Sequence, residues 1–470
     1  MTELLVRGGT VVTAGGSRRA DVHVRGETIA AVEPDLTGLA EADDLEVVDA
    51  TGLLVLPGVV DVHTHTRVAT DGEPDRFFRD SVAAAYGGTT TFLAFNNPGT
   101  GSSPAAERSL LTGLREWRDA TEADSAVDYG VSLAISGRMA DPVAELPAMV
   151  DAGVPTAKAF MVFDFRLDDR RIVDVMRVLG ERGGMLQLHC EDPAMCDAAV
   201  AGALARGETG PRFHAATRST AAEAVATERA MGWARDTGAP VHVVHLSSAE
   251  ALRHVRDARA GGIRAHAETC PHYLALTDAV YGAGDAQPVD IARYVISPPL
   301  RSVADQAALW AGLADGTLDL IATDHVPDRL AVEKAEAARG VSFDRISNGA
   351  PGIETLLAIA YSEGFAKARL TIERLVDLVS TTPARLFGLR RKGAIEVGRD
   401  ADLVLFDPGI RRWLHARDLH HTSDYTPFEG FELAGGVRSV FVRGRAVIMD
   451  GRFVGHRGYG RFVERGGIEA

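Results

Sequence analysis

The chain has 470 residues, enough for a large catalytic domain and a smaller second one. Its 46% hydrophobic and 24% charged residues are ordinary for a globular protein, and its net charge of −15 argues against a nucleic-acid or anionic-membrane surface. Three cysteines are too few for a disulfide framework and no run approaches 18 apolar residues, so we expect a cytoplasmic protein with neither nucleic acid nor membrane as a partner.

The two ends of the chain share one pattern. Residues 1–56 and the region after about 390 contain short β-rich runs separated by Gly, Asp and Thr clusters. This pattern predicts one small β-sandwich built from both termini, because two separate small domains would each have a thin core. The predicted division is 1–56 for the N-terminal part of the sandwich, 57–390 for the catalytic domain, and 391–470 for the C-terminal part of the sandwich and a tail.

The middle of the chain alternates strands with helices. Eight strands in such alternation predict an α/β fold of the parallel β/α (TIM) barrel type. The candidate strands are the apolar run within 56–65 and the segments 89–95, 128–136, 155–163, 185–190, 240–247, 262–270 and 318–324. The stretch 271–317 is long and proline-rich for a connection, so we expect it to carry a functional loop.

The first barrel strand, within PGVVDVHTH, ends in two histidines. His63 and His65 are two residues apart, and strand alternation places both imidazoles on the same face. Two imidazoles that converge at a strand end form half of a metal site, whereas the alternative is a solvated loop with two incidental histidines.

Other barrel strands also end in residues that can bind a metal. Active sites of β/α barrels lie at the C-terminal ends of the strands. Alternation places His242 and His245 on opposite faces, and we favour His245 because it is nearer the strand end. In TDH we favour Asp324 over His325, because Asp324 ends the apolar strand and a carboxylate can both bind metal and move protons. The added candidates are Lys158, His189, His245 and Asp324. Taken singly, Lys158 could pair with a buried acid, and His189 could simply be hydrogen-bonded.

These motifs resemble the cyclic amidohydrolases of the amidohydrolase superfamily: hydantoinases and dihydropyrimidinases, allantoinases and dihydroorotases. The matching segments run in family order between residues 57 and 407 and include PGVVDVHTH, AKAFMVF, HCED, HLSSAEAL, ETCPHYL, ATDH and NGAPGIET. The resemblance implies a homo-oligomer, commonly a tetramer, that acts on a small cyclic ureide or amide.

The resemblance also implies a two-metal centre. His63 and His65 would bind one divalent ion, and His189 and His245 the second. Lys158 would be carboxylated to a carbamate that bridges both ions, and Asp324 would be both ligand and catalytic base. Zinc is the preferred ion for imidazole, carboxylate and carbamate ligands, although manganese and iron are alternatives.

Several features distinguish the possible ring substrates. LHHTSDYTPFEGF and NGAPGIET resemble the hydantoinases and dihydropyrimidinases, in which backbone groups at the positions of Ser297 and Asn348 hydrogen-bond the ring amide. We therefore expect a hydantoin or dihydropyrimidine ring to be opened to an N-carbamoyl amino acid. Those enzymes carry a tyrosine five residues after the carboxylated lysine, to support the oxyanion, whereas this chain has Phe163 there. Allantoinases also lack that tyrosine, which makes allantoin the second candidate.

Two further alternatives are weaker. A dihydroorotase would use Arg67 to bind the substrate carboxylate, with Asn96 in a neighbouring loop, but we favour pairing of Arg67 with a loop acid such as Asp71 or Glu73. The C-terminal region argues against dihydroorotase. A metal-free dihydropyrimidinase-related scaffold protein is the non-enzyme alternative, and retention of all six candidate ligands argues against it.

Overall fold

The fold is taken from a computed structural model that describes residues 3–36, 38–39, 45–96, 106–282 and 287–468. Strands from both ends of the chain form two sheets beside a central barrel. The N-terminal region supplies seven strands: β1 (Glu3–Arg7), β2 (Thr10–Thr13), β3 (Gly16–Arg19), β4 (Asp21–Arg25), β5 (Thr28–Glu33), β6 (Leu45–Asp49) and β7 (Leu54–Pro57).

A parallel eight-stranded barrel follows, as the strand–helix alternation predicts. Its strands lie in chain order around the barrel. They are β8 (Val59–Thr64), β9 (Thr89–Phe95), β10 (Asp128–Ala134), β11 (Thr156–Phe160), β12 (Met185–His189), β13 (Val241–Val243), β14 (Ala265–Thr269) and β15 (Leu320–Ile321). The barrel closes through a bridge between Thr64, at the end of β8, and His325, which follows β15. The His65 N–H also donates to the His325 carbonyl at 2.7 Å. The barrel prediction is confirmed at every one of the eight strands.

Helices surround the barrel, and their ends follow ordinary capping chemistry. In α7 the Ser219 hydroxyl accepts from the Ala222 N–H, and the helix ends at Gly238 with φ of 68°, a left-handed conformation that suits glycine. The helices are α1 (Arg76–Tyr86), α2 (Leu110–Thr121), α3 (Pro142–Asp151), α4 (Asp169–Glu181), α5 (Pro193–Ala205), α6 (Phe213–Ala216), α7 (Thr220–Thr237), α8 (Ala249–Ala260), α9 (Pro271–Ala275), α10 (Pro288–Ala292), α11 (Val303–Asp315), α12 (Leu356–Ala360), α13 (Ile372–Val376) and α14 (Thr382–Leu386). The stretch 271–317, which we expected to carry a functional loop, thus contains α9, α10 and α11. Among the described residues, no helix is both long and apolar enough to cross a bilayer.

The C-terminal strands complete the predicted sandwich. They are β16 (Leu403–Leu414), β17 (Phe431–Val442), β18 (Arg445–Met449) and β19 (Arg452–Phe453). β16 pairs antiparallel with β7, so both ends of the chain share one seven-stranded sheet, and β1, β4, β5 and β6 form the second. Leu4, Val24, Leu403 and Phe441 belong to one apolar cluster that joins strands of the two sheets. The division at residues 56 and 390 stays a prediction.

The last described residues close the N-terminal end of the barrel. Tyr129, near the start of β10, donates its N–H to the Arg461 carbonyl at 3.0 Å and accepts from the Val463 N–H at 2.7 Å. The buried Arg465 donates to the Val131 carbonyl at 2.6 Å. The opposite end, where the strands finish, is therefore the open one.

Candidate metal centre

Three of the predicted residues meet at one point above the barrel. Asp324 Oδ1 lies 3.0 Å from His63 Nε2 and 3.1 Å from His65 Nε2. The ligand atoms of these three residues all lie within 4.8 Å of one another, as in a metal site. Lys158 Nζ approaches from β11, 3.5 Å from His63 Nε2.

The other two predicted histidines lie next to this group. The His189 and His245 ring centroids are 4.5 Å apart, and the His245 ring lies 5.4 Å from that of His63. His65, Lys158, His189, His245 and Asp324 line one cavity of about 270 Å³, and His63 is buried beside it. The structure thus brings together all six side chains that the strand ends indicated.

Two of these residues leave the strand conformation. His245 has φ of 40° and Asp324 has φ of 50°, in the left-handed region that non-glycine residues adopt at a cost. β13 ends at Val243, so alternation does not extend to His245. His242 bonds to Glu268 inside the barrel while His245 faces His63, so the two rings do not lie on opposite faces as alternation predicted.

Burial sets the charge of the lysine and of three of the histidines, whereas nearby charges set that of Asp324 and His63. Burial and Lys158 oppose protonation of His63, but the carboxylates of Glu268 and Asp324 raise its pKa above the usual value. Lys158 is fully buried, with Nζ 4.7 Å above the Phe95 ring, and desolvation lowers its pKa to about 8. Burial alone would raise the pKa of Asp324, but the charge and hydrogen bond of His63 hold it well below its usual range. Burial also lowers the pKa of His245 well below its usual value. The site therefore offers an ionised carboxylate, neutral imidazoles at His65, His189 and His245, and an amine whose pKa is lowered toward neutral pH, a donor set suited to divalent cations.

Two buried carboxylates contact these histidines and were not among the predicted site residues. Glu191 Oε2 lies 2.6 Å from His189 Nε2 and accepts from Arg218 at 2.5 Å. Burial opposes ionisation of Glu191, but Arg218 and His189 hold its pKa at about 2. Glu268 on β14 contacts His63 Nδ1. Glu268 could have been identified as an acid within a strand whose neighbouring residues are buried. Glu191 could have been identified because it lies two residues after His189.

One wall of the cavity is aromatic. Phe160, Phe163 and Phe165 line it, with the Phe163 and Phe165 rings stacked at 5.6 Å. Ser297 and Asn348 line the cavity as well, and the Ser297 hydroxyl donates to Asn348 Oδ1 at 2.8 Å. The cavity therefore combines polar groups with a wall suited to an apolar substituent.

Arg67 is engaged by acids other than the two that the sequence suggested. Its guanidinium binds Asp328 and, at 2.9 Å, Glu333. The predicted pairing of Arg67 with an acid is confirmed, but the suggested partners Asp71 and Glu73 are wrong, because acids distant in sequence come closer. Glu73 pairs with Arg76 and Arg329 instead. Asn96 Oδ1 accepts from the Ala134 N–H at 2.9 Å, which is a contact within the barrel wall.

A barrel with imidazoles, a lysine and an aspartate at its strand ends defines a class of metal-dependent hydrolase folds. The amidohydrolase family model matches residues 54–447, and the chain belongs to that family. It is 38% identical over 467 residues to a D-hydantoinase of Streptomyces coelicolor, covering 98% of this chain and 97% of the relative. It is 35% identical over 469 residues to a D-phenylhydantoinase of Escherichia coli, covering 98% of both chains. The crystal structure of a dihydropyrimidinase from Brevibacillus agri superposes with a TM-score of 0.92 at 37% identity, covering 100% of both chains.

Proposed function

We propose that this chain is a binuclear metal-dependent hydrolase that opens the cyclic amide of a hydantoin or dihydropyrimidine ring to give an N-carbamoyl amino acid. The observation that carries the proposal is the meeting of His63, His65 and Asp324 beside Lys158 in a cavity of the barrel. Full-length relatives named D-hydantoinase and D-phenylhydantoinase support the choice of ring.

The chain offers ligands for two ions. His63 and His65 with Asp324 would hold the first, His189 and His245 the second, and a carbamate on Lys158 would serve both. We propose zinc as the ion, because the neutral ligands are imidazoles. When bound, two such cations polarise a carbonyl and lower the pKa of water. Burial lowers the pKa of Lys158 to about 8, which increases the neutral fraction of the amine that a carbamate requires.

The remaining chemistry belongs to side chains of the cavity. Asp324 is ionised and can take a proton from the attacking water and pass it to the departing ring nitrogen. We propose that backbone groups at Ser297 and Asn348 hold the ring amide. The wall of Phe160, Phe163 and Phe165 would pack against an apolar ring substituent and exclude water.

Replacement of Asp324 tests its role as the base. We expect Asp324→Asn to lower turnover by ~10²–10⁴-fold, since an amide cannot accept the proton. Metal content is measured on the same sample, so that loss of an ion is not mistaken for loss of the base. A variant that kept both ions and more than a few per cent of the turnover would show that another group moves the proton.

A second candidate, allantoin, is favoured by one observation. Phe163 lines the cavity without a hydroxyl where the hydantoinases have a donor. Dihydroorotate is disfavoured, because Asp328 and Glu333 already neutralise Arg67, the residue that would bind its carboxylate.

A side-by-side assay decides between these rings. The zinc-replete protein is tested with hydantoin, 5-phenylhydantoin, dihydrouracil, allantoin and dihydroorotate. We expect the highest kcat/KM with a hydantoin or with dihydrouracil, and a clear preference for allantoin or dihydroorotate would contradict the proposal. Absence of turnover and of bound metal would favour the scaffold alternative. Light scattering tests the homotetramer, which we propose from the resemblance alone.

A further inference from the structure

Glu268 contacts three histidines from the middle of the barrel. Its side chain is fully buried on β14. Oε1 contacts His63 Nδ1 and accepts from the His245 N–H at 3.2 Å. Oε2 lies 2.9 Å from His242 Nε2. One carboxylate therefore touches a residue from each half of the candidate metal centre.

The contact with His63 determines which ring nitrogen can bind a metal. A metal binds the neutral form of imidazole, and an ionised carboxylate can only accept hydrogen bonds, so in that form of His63 the hydrogen sits on Nδ1. Nε2 then carries the lone pair, and Nε2 is the nitrogen that faces Asp324 at 3.0 Å. Without Glu268, nothing among the described contacts of His63 Nδ1 would fix that tautomer.

Glu268 contacts the backbone of His245 rather than its ring, because it accepts a hydrogen bond from the His245 N–H. His245 has φ of 40°, a conformation that surrounding contacts must stabilise. The hydrogen bond from its N–H to Glu268 supplies such a contact just where the chain leaves β13.

We infer that Glu268 is the positioning residue of the metal centre, which sets the His63 tautomer and holds the turn that presents His245. The inference rests on the ligand set of the proposed function. Outer carboxylates that orient a ligating histidine typically change metal affinity by ~10–100-fold when they are replaced.

Glu191 provides a comparison within the same site. Of the candidate ligands, Glu191 contacts only His189, at ring atom Nε2. Nδ1 of the His189 ring is therefore the nitrogen left to bind a metal. Loss of Glu191 should therefore weaken only the ion that His189 holds, whereas loss of Glu268 should weaken both, through His63 and through His245.

The test is zinc binding by metal-free protein, followed by chelator competition. We compare wild type with Glu268→Gln and Glu191→Gln. Gln187→Met is the matched control, because Gln187 is a fully buried polar side chain of β12 whose amide has no hydrogen-bond partner among the described residues. We expect Glu268→Gln to lower the zinc affinity of both sites, and that of the tighter site by ~10–100-fold. Glu191→Gln should lower the affinity of one site only. Gln187→Met should leave both affinities unchanged.

Thermal unfolding of the metal-free proteins separates positioning from bulk stability. A merely structural role would lower Tm without moving the zinc constants. If Glu268→Gln does not fold, Glu268→Asp carries the test, since it keeps the charge and should retain more zinc affinity than a neutral side chain but less than wild type. Wild-type zinc constants in either folded variant would overturn the inference. A wild-type protein that binds no zinc would overturn the proposed function together with it.

Discussion

Lys158 is the residue whose charge matters most for assembly of the centre. Its ordinary pKa of 10.5 is lowered to about 8 by burial, so the amine is mostly protonated at pH 7 and mostly neutral at pH 9. Since only the neutral amine captures carbon dioxide, we expect carbamate in metal-free protein at fixed dissolved carbon dioxide to increase by about tenfold over that interval. Labelled carbon dioxide and ¹³C NMR measure it.

Lys334 is the matched control for this measurement. Burial lowers its pKa to about 8 as well, but its Nζ donates to the carbonyls of Val295 and Ser347. Lys158→Met should abolish the carbamate signal and Lys334→Met should retain it. A signal that survives in Lys158→Met would place the carbamate elsewhere.

Phe163 is the residue at which this chain departs from the hydantoinase pattern. Its ring lies 5.2 Å from the His189 ring and 4.9 Å from the Arg218 guanidinium. Because one oxyanion donor is typically worth ~10²–10³ in rate, we expect Phe163→Tyr to raise kcat for hydantoin by about tenfold or more. Phe165→Tyr, on the adjacent ring, should give no gain. An unchanged kcat in a metal-replete Phe163→Tyr protein would mean that another group already supplies the donor.

At the scale of elements, the segment 326–349 forms one side of the cavity and is held by Arg67. Arg67 binds Asp328, which is fully buried, and Glu333, which is partly exposed. Removing the guanidinium would leave the Asp328 carboxylate buried and unpaired, at a cost of ~3–5 kcal/mol. We expect Arg67→Gln to accelerate hydrogen exchange in 326–349 and to raise KM, because Asn348 and Gly349 of this segment line the cavity.

Arg329 provides the comparison for Arg67. It pairs with Glu73 and Glu333, but its side chain is 29% exposed. An exposed pair contributes about 0–1 kcal/mol, so Arg329→Gln should leave exchange in the segment nearly unchanged. Equal effects of the two substitutions would show that burial of Asp328 does not control the segment.

The sequence predicted the location of a side chain correctly where the position of the residue within its own strand determines that location. The places of His63, Lys158 and His189, which lie within β8, β11 and β12, could be predicted, because barrel strands present their ends to one face. Contacts between distant segments could not be predicted from one sequence, which is why Glu268 and the partners of Arg67 were missed. Alternation failed at His245 because the strand is short and the backbone turns to a positive φ, a conformation that tertiary contacts impose.

At the scale of the whole molecule, one buried lysine joins the barrel to the sandwich. Lys392 Nζ lies 2.6 Å from Asp128, at the start of β10, and 2.9 Å from Asp402, just before β16. Lys392→Met would leave buried Asp402 without its cation, while Asp128 would keep Arg443, so we expect a loss of about 3 kcal/mol in the free energy of unfolding. Urea denaturation measures it. Arg438→Ala, which breaks an exposed pair with Asp450, should change stability by less than about 1 kcal/mol. Similar losses in the two variants would contradict a coupling role for Lys392.

The pairing of β7 with β16 has a consequence for biosynthesis. The ribosome delivers β2, β3 and β7 early, but β16, which pairs with β7 in the same sheet, emerges only after the whole barrel. At roughly 5–20 residues per second, the unfinished sheet edge is exposed for on the order of tens of seconds. The residues that cover the base of the barrel come later still, since Val463 and Arg465 follow every strand. Nascent chains would therefore depend on chaperones that shield apolar edges, and slower translation would lengthen that dependence.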